Sequence, residues 1–135
     1  MRRPGEHRNI LLLLSNNEEE TSLLTKAFAA IADVTTAWTV EEVFRLLKRS
    51  EYDAFLYDWG FQGVEWREIC QGVKRDYPNL PIIVVSRCGG EQEWVEVLKA
   101  GCFDLISAPY SDRYVLSVIE HAVASRETPA WRDAA

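Results

Sequence analysis

The stretch Leu11 to Glu20, LLLLSNNEEE, sets four leucines directly against a serine, two asparagines and three glutamates. With Ile10 ahead of it, the apolar run is continuous. It is too short for a membrane span or a signal-peptide core. It predicts a strand over Ile10–Leu14 that is buried on both faces. Asn17 with Glu20 three residues on resembles a capping box, which opens a helix through about Ala32. Leu23, Leu24, Ala27, Phe28 and Ile31 recur at helical spacing and mark its core face. Glu18, Glu19 and Glu20 suit the positive end of that helix dipole and read as a solvated first turn.

The same alternation continues outward. Val34–Ala37 predicts a short second strand, and Thr39 with Glu42 caps a helix to about Arg49. Ala54–Tyr57 is a third strand ending at Asp58, and Gly60 and Gly63 punctuate the loop after it. A helix near Glu65 to Asp76 is closed by Pro78 and Pro81. Ile82–Val85, β-branched throughout, is a strand ending at Ser86. Gly89-Gly90 breaks the chain before a helix to Ala100, with Gly101 as its C-cap. Phe103–Ile106 is the last strand, and Ser111 caps a final helix to about Arg126. Five strand–helix pairs with short connections and non-alternating apolar strands predict an α/β fold. The expected architecture is a (βα)5 doubly wound parallel sheet of strand order 2-1-3-4-5. The expected organisation is an N-terminal extension over 1–8, one domain over 9–126, and a tail or linker start over 127–135.

Composition narrows the function classes. The chain has 135 residues, enough for one domain with a proper core, and is 47% apolar and 27% charged. Its net charge of -6 argues against non-specific binding to nucleic acid or to an anionic membrane. Cys70, Cys88 and Cys102 lack metal-ligand spacing and read as reduced thiols of a cytoplasmic protein.

In doubly wound sheets the functional cleft lies at the carboxyl ends of the central strands. The residues there are Ser15-Asn16-Asn17, Asp58, Ser86 and Ala108. Taken singly, a strand-end aspartate or serine often does no more than satisfy loop amides. Together, Asp58 and Ser86 make a polar floor for a small anion or metal. Four segments in order, NILLLLSNNEEETSLL, YDAFLYDWGFQG, PIIVVSRCGG and AGCFDLISAPYS, resemble the receiver domain of two-component response regulators. The resemblance spans roughly Asn9 to Arg126.

That resemblance implies phosphorelay signalling rather than enzymatic turnover. It implies a phosphoacceptor aspartate at Asp58, a phosphoryl-contacting hydroxyl at Ser86, and a metal-directed backbone carbonyl at Gly60. The family's acidic pair, which helps hold Mg2+, falls on Ser15 and Asn16. Its lysine falls on Ala108, its aromatic switch position on Leu105, and its usual loop proline on Gln62. Mg2+ prefers hard, charged oxygen ligands, and phosphoryl transfer depends on neutralising charge at the transferred group. The implied pocket is therefore degenerate. No cofactor is expected, and Mg2+ only if the pocket is active. Arg87, next to Ser86, either points to water or swings over the pocket to pair with Asp58.

The resemblance further implies a protein partner: a histidine kinase, a phosphotransfer protein, an output domain or a second copy in a homodimer. Trp94, Tyr114 and Val118 are candidates for that contact, because the apolar face of the last helix is drawn through Val115, Leu116, Ile119, Ala122 and Val123. An alternative is a working acceptor with a weak Mg2+ site from Asn16, Asp58 and the Gly60 carbonyl. A more remote one is a flavodoxin-like cofactor-binding protein or small α/β enzyme. A flavodoxin-type phosphate loop needs small hydroxyl residues and a glycine after the first strand, and SNNEEET has no glycine and three acids.

Overall fold

The computed structural model describes residues 9–61, 65–86, 91–108 and 110–127. The expected extension over 1–8, Gln62, Arg87, Cys88 and the tail from residue 128 lie outside them. Strands β1 (Asn9–Leu14), β2 (Ala32–Ala37), β3 (Ala54–Asp58), β4 (Ile82–Ser86) and β5 (Asp104–Ser107) alternate with five helices. These are α1 (Glu18–Phe28), α2 (Val40–Arg49), α3 (Trp66–Asp76), α4 (Glu91–Lys99) and α5 (Asp112–Glu127). The strands form one sheet of order β2-β1-β3-β4-β5, every pairing parallel. This is the doubly wound arrangement read from the sequence.

Side-chain alternation along the central strands feeds two cores. Leu12, Leu14, Phe55, Tyr57, Ile82 and Val84 face one side, packed by Val43 and Leu47 of α2, Ile69 and Val73 of α3, and Val97 of α4. Leu11, Leu13, Leu56, Ile83 and Val85 face the other, packed by Leu24 and Phe28 of α1 and by α5. The central strands read as near-continuous apolar runs because both faces are covered. Among the described residues, no helix is long and apolar enough to cross a membrane.

The caps behave as their chemistry requires. Glu20 N–H donates to Asn17 Oδ1 at 2.9 Å, and Glu42 N–H donates to Thr39 Oγ1 at 3.1 Å. Gly101 takes φ of +91°, a backbone conformation that suits glycine, just past α4.

Three local expectations are corrected. The first helix ends at Phe28 rather than Ala32, because Ala32 opens β2 and pairs with Asn9 of β1. The last strand begins and ends one residue later than its apolar content suggests, at Asp104–Ser107. Val118 is not an exposed edge residue: it is 5% exposed and packs in the second core. The buried arc of α5 runs through Val115, Val118, Ile119 and Ala122 at i, i+3, i+4 and i+7, which leaves Leu116 and Val123 half-buried.

Candidate functional site

Parallel register builds the site. Leu14 of β1 sits beside Tyr57 of β3, so the next residues, Ser15 and Asp58, meet just past the paired strands. Asp58 in turn lies beside Val85, one residue before Ser86. Ser15, Asp58 and Ser86 are all buried, at 0%, 5% and 5% exposed. Asn16 is exposed, as is Ala108 at the end of β5, whose N–H donates to the Ser86 carbonyl at 3.0 Å.

The Asp58 carboxylate is held by the chain itself. The Ser15 hydroxyl donates to Asp58 Oδ2 at 2.8 Å, and Gly60 N–H donates to Oδ1 at 3.0 Å. Asn17 N–H approaches the Ser15 hydroxyl oxygen at 3.4 Å, tying the start of α1 to the same cluster. Hydrogen bonds to an ionised acceptor are among the stronger ones, more so away from water. Gly60 acts here through its N–H, a donor to the carboxylate.

Fit to a divalent cation can be judged on these donors. Ser15 stands where the resemblance implies a metal-directed acid, yet it is a fully buried neutral hydroxyl that donates to the Asp58 carboxylate. Among the described residues, no group of three or more His, Cys, Asp or Glu side chains is arranged to hold a metal ion. Mg2+ takes charged oxygens in octahedral geometry, and of Ser15, Asn16 and Asp58 only Asp58 carries a charge.

Two features were not legible in the sequence. Glu20, expected in a solvated turn, is 4% exposed, and Tyr110 Oη–H donates to its Oε1 at 2.8 Å. This bond joins the first turn of α1 to the segment after β5, two elements 90 residues apart in sequence. The second is a tilted aromatic contact beside Asp58. Trp59 and Trp66 have ring centroids 5.3 Å apart, and the Arg67 guanidinium lies 4.6 Å from the Trp66 centroid. Arg67 also reaches Glu96 of α4 at 3.5 Å. The sequence signal for this contact is the pair of tryptophans at positions 59 and 66.

At the other edge of the sheet, Trp94 and Tyr114 are 44% and 40% exposed. Each is tethered to β5 through its polar atom. Trp94 Nε1–H donates to Asp104 Oδ1 at 3.0 Å, and Tyr114 Oη–H donates to the Leu105 carbonyl at 3.3 Å. Leu105 itself is buried. Their rings therefore stand on a common edge with fixed orientation.

Burial pushes the Tyr57 hydroxyl from 10.0 up to about 12, with Cys70, Asp58 and Glu65 adding to the effect. The folded chain keeps this proton to higher pH than the unfolded one. The associated stability is whole below pH 10 and is lost as pH rises toward about 12. Tyr57→Phe is expected to move the midpoint of alkaline unfolding upward, measured by circular dichroism against pH. An unchanged midpoint would refute this assignment.

Comparison with known proteins agrees with this fold. The family model described as the response regulator receiver domain matches residues 12–120. The chain is 27% identical over 77 residues to the response regulator protein PilR of Pseudomonas aeruginosa, covering 57% of this chain and 17% of PilR. It is 31% identical over 84 residues to the phosphate regulon transcriptional regulatory protein PhoB of the same organism, covering 61% of this chain and 36% of PhoB. The chain thus spans well under half the length of these relatives. Among solved structures, a response regulator receiver domain protein from Clostridium thermocellum superposes with a TM-score of 0.76 at 16% identity, covering 88% of this chain and 97% of that one. The beryllofluoride-activated NtrC4 receiver domain dimer gives 0.76 at 21% identity, covering 87% and 98%. At these identities the structural likeness establishes the fold.

Proposed function

The chain belongs to the response regulator receiver domain family, and on that premise we propose that it is a receiver-type signalling module whose acceptor pocket is sealed by its own hydrogen bonds. The observation that carries this reading is the buried 2.8 Å bond from the Ser15 hydroxyl to Asp58 Oδ2. A neutral donor takes the place of a metal-bound acid, so Asp58 is stabilised without a cation. Ala108 supplies no ammonium to neutralise an incoming phosphoryl group, although Asp58 and Ser86 stand on neighbouring strands as acceptor chemistry requires.

Regulation then passes through protein contacts. The surface best suited to them is the edge carrying Trp94 and Tyr114, whose rings are exposed while their polar atoms are anchored on β5. Aromatic residues held rigidly in this way are the usual anchors of protein interfaces. The partner classes are a histidine kinase, a phosphotransfer protein, an output domain or a second copy of the chain. A cytoplasmic setting fits all of these.

The test is exposure of the protein to a small phosphodonor with Mg2+, read by intact mass. No phosphoryl gain is expected under conditions that label an active receiver within minutes. The competing reading is a working acceptor with a weak Mg2+ site from Asn16, Asp58 and the Gly60 carbonyl. It would prevail if one phosphoryl group were gained and then lost in Asp58→Asn.

A further inference from the structure

We propose that Cys70 and Cys102 form a dithiol clasp that a peroxide closes into an intramolecular disulfide, joining α3 to the turn ahead of β5. The two residues lie 32 positions apart in sequence, yet the fold brings their sulfurs within 3.7 Å in a thiol–thiol hydrogen bond. Both are free thiols. A disulfide bond is about 2.0 Å long, so the sulfurs need to approach by roughly 1.7 Å. Cys102 lies outside regular structure, directly after Gly101, so the turn rather than the helix supplies that movement.

The surroundings assign the two roles. Cys102 is the more open sulfur residue, 5% exposed against 1% for Cys70. Lys74, one turn beyond Cys70 on α3, donates through Nζ to the Gly101 carbonyl at 2.9 Å, which holds its charge beside the pair. The hydrogen bond shared with Cys70 lowers the Cys102 thiol, and Lys74 lowers it further against the opposing effect of burial. The hydrogen bond to Cys102 and burial push Cys70 up. Cys102, the more open of the two and set in the turn beside the Lys74 charge, is therefore assigned as the thiolate that reacts first, and Cys70 as the thiol that resolves.

The chemistry balances with hydrogen peroxide as the oxidant. The Cys102 thiolate attacks one peroxide oxygen, the O–O bond breaks, and the departing hydroxide takes up a proton to leave as water. Cys102 is then a sulfenic acid. The Cys70 sulfur attacks the Cys102 sulfur, the S–O bond breaks, and the hydroxide leaves as water with the Cys70 proton. Two thiols and one peroxide become one disulfide and two waters. Phosphorylation of Asp58 plays no part, so the clasp stands whether or not the pocket is sealed.

The native full chain is treated with hydrogen peroxide, alkylated and digested, in parallel with a Cys88→Ser variant. The expected result in both is an intact mass lower by two hydrogens and one peptide linking Cys70 to Cys102, reversed by dithiothreitol. In Cys70→Ser, dimedone is expected to trap a sulfenic acid at Cys102. The proposal is overturned if both thiols remain alkylatable after peroxide, if the link forms only in denaturant, or if the wild-type link runs through Cys88. The wild-type peptide map decides the matter even where a variant fails to fold.

Discussion

The triple variant Ser15→Asp, Asn16→Asp and Ala108→Lys is expected to bind Mg2+ at least ~100-fold more tightly than the parent chain. The reasoning is electrostatic. Asp58 already stands at the end of β3 with Gly60 beside it, and Ser15 already touches it. Two added carboxylates supply the hard, charged oxygens that Mg2+ selects. The lysine enters at the end of β5, where Ala108 bonds to the Ser86 carbonyl, and offsets part of the added negative charge. Trp59 follows Asp58 and packs at a tilt against Trp66, so its fluorescence reports metal arrival. The parent is expected to give a flat titration to tens of millimolar Mg2+ (an affinity below about 2 kcal/mol), and the variant a saturating one. A folded triple variant that ignores metal would show that these positions do not form the pocket inferred for them.

Ser15→Asp alone should do harm. It replaces the hydroxyl that donates to Asp58 Oδ2 with a second carboxylate in a site excluded from water. Two like charges about 4 Å apart at an effective dielectric of 20 repel by ~4 kcal/mol, and the lost hydrogen bond adds to this. A loss of about 3–4 kcal/mol in denaturant unfolding at pH 7 is therefore expected after local relaxation. Two controls identify the cause. Protonating one of the pair relieves the repulsion, so the deficit should shrink as pH falls into the carboxylate range. Ser15→Asn, which adds similar bulk without charge, should cost less. A deficit that is the same at pH 4 and pH 7 would mean that packing, not charge, is responsible.

These outcomes depend on contacts of different sequence range, and so does the legibility of the protein. Strands β1, β3 and β4 are readable because a run of apolar side chains with no polar interruption cannot be left in water on either face. The caps at Asn17 and Thr39 were readable because a capping side chain and its amide lie within three residues of each other. The end of α1 was not readable. The segment Ala27–Ala32 has adequate helical propensity, and what stops it is the pairing of Ala32 with Asn9 on another strand. Val118 was misjudged for a related reason. Periodicity shows that α5 has an apolar arc, while its contact with β3 and α1 fixes how that arc is turned.

By itself the sequence determined the doubly wound fold, the position of Asp58 at a strand end, and the absence of acids at Ser15 and Asn16. Those are properties of residue type and local spacing. Tertiary structure alone decided that Ser15 reaches Asp58, that Glu20 is buried under Tyr110, and that Cys70 meets Cys102. Each of those contacts joins residues 43, 90 or 32 positions apart. They form because strand register and helix packing bring distant segments together, and no local pattern encodes that distance.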